Sequence, residues 1–190
     1  MAILQVRTFP EPILSQNAKP VAGVTTELIQ LAHDMLETMY AAPGIGLAAP
    51  QVGQSLQLIV LDIRTRDDDG NLDETEMTEA EKKTKFPLIM FNPKILSSKG
   101  NTTFEEGCLS VPGYVEEVRR AQFVDVKYLD EAGKEQKLSA DGLLAICIQH
   151  EIDHLEGTLF IDRLSSVKRN LIKSKIKKNG YPEQDRRHIL

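Results

Sequence analysis

Five residues, His150-Glu151-Ile152-Asp153-His154, form the clearest chemical pattern in the chain. Positions i and i+4 of an α-helix differ by about 40° around the axis and one turn along it, so both imidazoles leave the same face. Two ring nitrogens converging there make part of a transition-metal site. Glu151 beside them is placed to take a proton from a water that such an ion acidifies. Leu143, Ile146 and Cys147 share the side of the two histidines, so the imidazoles start in apolar surroundings. A buried ring nitrogen needs a partner, and a metal ion provides one.

A catalytic ion needs a third protein ligand and one open position. A metzincin-like third histidine is excluded: Gly157 matches that pattern's glycine, but Phe160 stands where its histidine would be. Beyond Gly157 the one glutamate is Glu183, in a basic tail, and Asp162 is a weaker carboxylate candidate. Two cysteines remain. Cys147 lies about 10 Å along the axis from His154, and three ligands strung on one straight helix cannot surround a tetrahedral ion. It fits better as an apolar wall residue. Cys108 sits on a separate segment, Glu105-Glu106-Gly107-Cys108-Leu109-Ser110, where Gly107 frees the backbone to turn the sulfur inward. The chemistry groups Cys108, His150 and His154 around one ion, with a fourth position for water, and ligand preference alone suggests zinc.

The elements that must hold these residues are legible in part. Leu28, Leu31, Ala32, Met35, Leu36 and Met39 recur at helical spacing and predict a helix over 26–41, ended by Pro43 and Gly44. His33 lies off that stripe and reads as an exposed side chain. A Gly/Pro-punctuated loop, GIGLAAPQVG, precedes a strand over 56–63. The charged stretch 64–85 reads as a long turn or flexible loop, and its Asp67-Asp68-Asp69-Gly70-Asn71 run as solvated rather than cation-binding, since no EF-hand spacing follows. Strands are expected over 88–96, 114–119, 122–129 and 135–139, with a turn at 130–133. The metal-binding helix spans 141–156, capped by Asp141 or Ser139 and stopped by Gly157. A strand over 158–161 and a helix over 166–178 follow.

This succession is α+β: antiparallel strands packed around a central metal-binding helix, with an N-terminal and a C-terminal helix. The expected organisation is a catalytic metallohydrolase domain over 1–165, with 166–190 a basic helix and tail of the same domain. From Arg163 onward there are nine Lys/Arg against two Asp/Glu, although the whole chain of 190 residues carries a net charge of −5. Such a tail is either a solvated face or an arm that touches a polyanion such as RNA. The longest apolar runs, 143–148 and 86–91, are far short of the ~20 residues that span a bilayer. With two cysteines and no basic-then-apolar leader, a disulfide framework and a secretory route are not expected.

With Cys108 in place, the sequence resembles the peptide deformylase family over about residues 1–170. Three motifs occur in the family's order: Gly44-Ile45-Gly46-Leu47-Ala48-Ala49-Pro50-Gln51, then Glu106-Gly107-Cys108-Leu109-Ser110, then His150–His154. The resemblance implies an enzyme that removes the formyl group from the N-terminal formyl-methionine of new chains and releases formate. It implies metal ligation by Cys108, His150 and His154, with Fe2+ as the physiological ion and Zn2+, Ni2+ or Co2+ as substitutes. Glu151 would be the general base, with the Gln51 amide and the Leu109 backbone N–H stabilising the carbonyl oxygen as it gains charge. Gly44, Ile45 and Gly46 would pair with an extended peptide as an added strand, and Leu143, Ile146 and Cys147 would wall a pocket for the methionine side chain. The implied setting is a cytoplasmic monomer that acts on formyl-methionyl peptides. Its basic tail would contact the ribosome, and it would have no DNA or membrane partner. Two departures stand out. No arginine closely follows the second motif as a peptide clamp, and the acidic 64–85 stretch is longer than a compact member of the family needs. Rival readings are a metallopeptidase, a ribosome-binding module without turnover and a structural zinc protein.

Overall fold

Leu58-Ile59-Val60-Leu61 is apolar at four consecutive positions, the pattern of a strand covered on both faces. The fold supplies both covers. The structure is a computed structural model that describes residues 2–66 and 72–181, so the Asp67–Asn71 run and the end of the basic tail lie outside the described residues. In chain order its elements are α1 (Thr26–Ala41), β1 (Gly46–Ala48), β2 (Leu58–Leu61), β3 (Thr65–Arg66), β4 (Leu72–Asp73) and α2 (Glu79–Lys83). Then come β5 (Leu88–Lys99), β6 (Thr102–Glu106), β7 (Glu116–Arg120), β8 (Phe123–Leu129), β9 (Glu135–Ala140), α3 (Gly142–Leu155) and α4 (Ser166–Asn179). Short 3-10 turns occupy Pro12–Ser15, Ala49–Val52 and Phe160–Arg163.

An antiparallel sheet in the order β1-β2-β5-β8-β9 forms the centre. Side chains alternate across it with period 2. Ile59, Leu61, Leu88 and Met90 face α3 and meet Leu144, Ala145 and Ile148. Leu58, Val60, Ile89 and Phe91 face α1 and meet Ala32, Met35, Leu36 and Met39. Each such side chain taken out of water contributes about 1.5–3 kcal/mol, so sandwiching by the two helices is the main source of order. α3 is buried almost all round, as expected of a helix apolar on every side. A third cluster lies beyond it, where Ile172 and Ile176 of α4 pack with Cys108, Val111, Val118 and Phe160.

The expected 26–41 and 166–178 helices and four of the five strands of the central sheet, β2, β5, β8 and β9, appear at those places. Other segments differ, for local reasons. Residues 158–161 do not form a strand. The Asp162 carboxylate accepts from Leu159 N–H at 3.1 Å and Asp162 N–H donates back to the Leu159 carbonyl at 2.8 Å, which closes a 3-10 turn. The hairpin β6–β7 brings in a strand that the sequence does not announce, because Thr102-Thr103-Phe104-Glu105-Glu106 is polar and mostly exposed. The GIGLAAPQVG loop contains the edge strand β1 and the turn Ala49–Val52.

The 64–85 stretch is not simply a long turn. It holds the β3–β4 hairpin and α2, which begins with a capping box: Thr78 Oγ1 accepts from Glu81 N–H at 3.2 Å and Glu81 Oε2 from Thr78 N–H at 2.7 Å. The other Glu81 oxygen, Oε1, accepts from Leu144 N–H at 2.8 Å. Asp141 stands at the N-cap position of α3 but caps nothing; its Oδ1 accepts from the Thr78 hydroxyl at 2.6 Å. A buried carboxylate from α2 therefore caps the metal-site helix, where the helix dipole also favours negative charge. Gly142, at φ +55, leaves room for it: a Cβ there would lie 2.7 Å from Glu81 Oε1. Glu81→Ala strands the Thr78 and Leu144 N–H groups, and we expect a loss of about 1–3 kcal/mol. Thermal melting checks this, since about 2–4 °C is lost per kcal/mol in a chain of this size.

Candidate metal centre and active site

Helix α3 sets the His150 and His154 rings 5.0 Å apart, centroid to centroid. Cys108 reaches them from the segment after β6. Its sulfur and one nitrogen of each imidazole lie within 4.8 Å of one another, and all three residues are buried. Cys108 Sγ is 3.2 Å from His154 Nε2. Among the described residues, the buried side-chain atoms with no hydrogen-bond partner are His150 Nε2, His154 Nδ1 and both Glu151 carboxylate oxygens. Leaving such atoms dry and unpaired costs roughly 1–3 kcal/mol each, more when charged. A cation among one thiol and two imidazoles gives the His150 nitrogen a partner, and this donor set suits a divalent transition ion. The three residues fit such an ion.

The charged groups around the centre are paired with one another. His150 Nδ1 lies 2.8 Å from Glu106 Oε2. Burial acts to raise the pKa of Glu106, but hydrogen bonds from Arg120 and His150 outweigh it and bring the carboxyl down to about 2. Burial likewise opposes a charged His150, yet its bonds to Cys108 and Glu106 prevail and raise the ring to about 10. His154 is pushed well below its ordinary value by burial, with positive charge on His150 adding to it, and so offers a neutral nitrogen. Burial lifts Glu151 to about 7, against the opposing charge of His150.

Gln51 is aimed by its neighbours. Its Oε1 accepts from Ala48 N–H at 2.8 Å, which leaves Nε2 to donate toward Cys108 Sγ at 3.6 Å and Ser110 Oγ at 3.2 Å. The donor end of the amide therefore faces the centre. Ser110 N–H also donates to the sulfur, at 3.4 Å. Leu109, between them, is half-buried; its Cδ1 lies 3.2 Å from where a Cβ on Gly44 would stand, so the Gly44 loop and the Cys108 segment abut.

The remaining sequence candidates are distributed as follows. Gly46 begins β1 at the rim of the sheet, against α3. The Ile45 carbonyl already accepts from Asp62 N–H at 2.9 Å. Ile146 and Cys147 are buried and Leu143 half-buried at the edge of the α3 core. The Cys147 thiol points at the Ile45 carbonyl from 3.7 Å; it stands outside the Cys108–His150–His154 group, and burial raises its pKa. Asp162, the weaker ligand candidate, bonds Leu159 N–H and Lys173 instead. Phe160, at the metzincin histidine position, stacks on His150 with centroids 6.4 Å apart. Sequence reasoning missed Glu106, Arg120 and Asp153 as a buried ion cluster beneath the histidines. The inward alternation of Val118 and Arg120 along β7 was the one signal for it.

Residues 3–170 match the family model described as polypeptide deformylase. A peptide deformylase of Syntrophobacter fumaroxidans is 48% identical over 178 residues, covering 94% of this chain and 96% of that protein. One from Bartonella tribocorum is 44% identical over the full length of both chains. The crystal structure of the Ehrlichia chaffeensis peptide deformylase superposes with a TM-score of 0.82 at 40% identity, covering 93% of this chain and 96% of that one. A second structure of the E. chaffeensis protein, at TM-score 0.81 and 40% identity over 94% of this chain and 98% of that one, is a complex with actinonin.

Gly46 is the tightest point of the site. A Cβ there would collide with Glu151 Oε1 and lie 2.9 Å from Cys147 Sγ, so those two buried side chains or the elements that carry them must shift to admit it. We expect Gly46→Ala to cost about 1–3 kcal/mol, read by thermal melting; a variant as stable as the parent would show that the strand is not held against the helix.

Proposed function

The chain belongs to the peptide deformylase family, and from that premise we propose how its own residues carry the reaction. The protein is a metal-dependent hydrolase that removes the formyl group from the N-terminal formyl-methionine of new polypeptides and releases formate. Cys108, His150 and His154 would hold one divalent ion; membership of the family favours Fe2+, with Zn2+, Ni2+ or Co2+ taking its place in purified protein. When bound, such an ion supplies Lewis acidity, which makes water nucleophilic near neutral pH and polarises the formyl carbonyl.

The residues do the rest. Glu151 takes the proton of the attacking water on a carboxylate oxygen and delivers it to the departing amine nitrogen. As the formyl oxygen gains charge, Gln51 Nε2 and the Leu109 backbone N–H donate to it. Gln51 needs no search for this pose, since Ala48 N–H holds its other end at 2.8 Å. Glu106 fixes the His150 ring through Nδ1, 2.8 Å away. The observation that supports this reading most is the unpaired Glu151 carboxylate, buried beside the Cys108–His150–His154 group.

Substrate contacts follow from the rim strand. The free edge of β1, with the backbone of Gly44, Ile45 and Gly46, takes an extended peptide as an added strand. The Ile45 carbonyl is partly committed to Asp62. Leu143, Ile146 and Cys147 wall the methionine pocket. On α4, Lys168 pairs with Glu116 and Lys173 with Asp162, which leaves Arg169, Lys175, Lys177 and Lys178 to meet phosphates of the ribosome. We treat 1–165 as the catalytic unit and 166–190 as part of the same domain, because Ile172 and Ile176 are buried in the cluster that contains Cys108. We place the enzyme in the cytoplasm as a monomer. No helix among the described residues is long and apolar enough to cross a membrane.

Glu151→Gln should keep one metal ion per chain while formate release from formyl-Met-Ala-Ser falls about 10²–10⁴-fold. Metal analysis of anaerobically prepared protein and a formate assay read both, and full turnover would remove Glu151 from the mechanism. Gln51→Ala should lower kcat about 10²–10³-fold with less effect on KM, because its donor acts on charge that appears in the transition state.

A further inference from the structure

We propose that Arg163, on the turn between α3 and α4, is a positioning residue for the metal centre and acts through a continuous line of charged hydrogen bonds ending on His150. Arg163 Nε and Nη2 both grip the Asp153 carboxylate. Asp153 Oδ2 also accepts from Arg120 Nη1 at 2.6 Å. Arg120 turns its other face to Glu106, with Nε 2.6 Å from Oε1 and Nη2 2.7 Å from Oε2. Glu106 Oε2 is the 2.8 Å partner of His150 Nδ1. The side chains of Arg120, Glu106 and His150 are at most 1% exposed and that of Asp153 5%, whereas Arg163 is 42% exposed. Among the described residues it is the member of the line that meets water.

Charges alternate along the line and cancel. That balance is why the buried members are tolerated, since an ion out of water costs several kcal/mol unless it is paired. Without Arg163, Asp153 has, among the described residues, Arg120 as its one remaining cation. Arg120 is then drawn toward Asp153, and its two-pronged hold on Glu106 loosens. Glu106 in turn sets the orientation and basicity of His150, the property on which metal retention depends. The fork matters as much as the charge: a lysine cannot bond both oxygens of Asp153 in one plane. Arg163 approaches over a cleft lined by Lys94, Lys127, Gln149 and Glu156. Its influence on the ion therefore passes through the line rather than by contact.

The proposal rests on Cys108, His150 and His154 being the ligands. The test uses the full chain loaded with Co2+, whose visible absorption reports ligand geometry, and follows cobalt release to excess chelator. Arg163→Ala should release cobalt about tenfold faster, the low end for a residue acting through a ligand's partner, and should shift the visible bands. Arg163→Lys should behave like the alanine variant. Lys127→Ala, which removes an exposed pair with Glu135 at 3.4 Å beside the same cleft, should match the parent. Melting of the metal-free proteins identifies any variant that fails to fold. Parental release kinetics and spectrum in Arg163→Ala overturn the proposal, as does equal acceleration by Lys127→Ala. If Arg163→Ala does not fold, Arg163→Lys decides, and parental kinetics there overturn it. A parent protein that takes up no cobalt defeats the ligand assignment instead.

Discussion

Charge buried without water is the constraint around which this molecule is organised. Glu106, Arg120 and Asp153 lie beneath the histidine-bearing turn of α3 and are nearly inaccessible to solvent. Each alone would destabilise the fold by several kcal/mol, and together they satisfy one another. Two come from the β6–β7 hairpin and one from α3. The hairpin, anchored through Val118 in the third apolar cluster, is thereby also fastened to the helix by charge. The same fastening delivers Cys108, which follows β6 directly. The candidate ligands Cys108, His150 and His154, from distant parts of the chain, meet where their neighbours neutralise each other.

Around that frame, nearly every group near the ion site is held by something else. His150 is held by Glu106, the Gln51 amide by Ala48 N–H, and the Cys108 sulfur by donors from Gln51 and Ser110. Among the described residues Glu151 differs in having no bonded side-chain atom at all, whereas His150 and His154 each leave one ring nitrogen unpaired. The orienting groups are thus held by hydrogen bonds, while the residue we propose as proton carrier is held by packing alone. Preorganised donors cost no rearrangement when charge develops, while a proton carrier already tied by hydrogen bonds would have to break them in every cycle.

How much of this the sequence disclosed depends on whether the signal was local. The histidine pair follows from helical spacing, and Cys108 from the ligand count and the limits of a straight helix, so the juxtaposition was legible. The apolar periodicities that build α1, α3 and the two-faced strand β2 were legible too. The ion cluster was hardly so: beyond the shared face of Val118 and Arg120, nothing in Glu105-Glu106 says which member is buried, and the pairing of strands sends Glu106 and Arg120 inward and leaves Glu105 and Arg119 exposed. The acidic 64–85 stretch misled through its composition. Its Thr78…Glu81 spacing is a helix-start signal hidden among charges, and the second use of Glu81, as a cap for α3, is a tertiary contact that no local pattern encodes. At 158–161 an apolar run resembled a strand, but Asp162 closes a turn on Leu159 before pairing can begin.

The brevity of β1 has a consequence for selectivity. Three residues, Gly46–Ala48, offer about 10 Å of ladder at 3.3–3.4 Å per residue. A peptide laid along that rail, as we propose, would be gripped by its main chain over only its first few residues, with the rest of it beyond reach. Main-chain pairing is blind to side-chain identity, so an enzyme built this way tolerates almost any continuation while demanding the right beginning. On the binding mode proposed above, breadth across a whole proteome comes from the shortness of that edge, and strictness at one terminus from the pocket assigned to Leu143, Ile146 and Cys147.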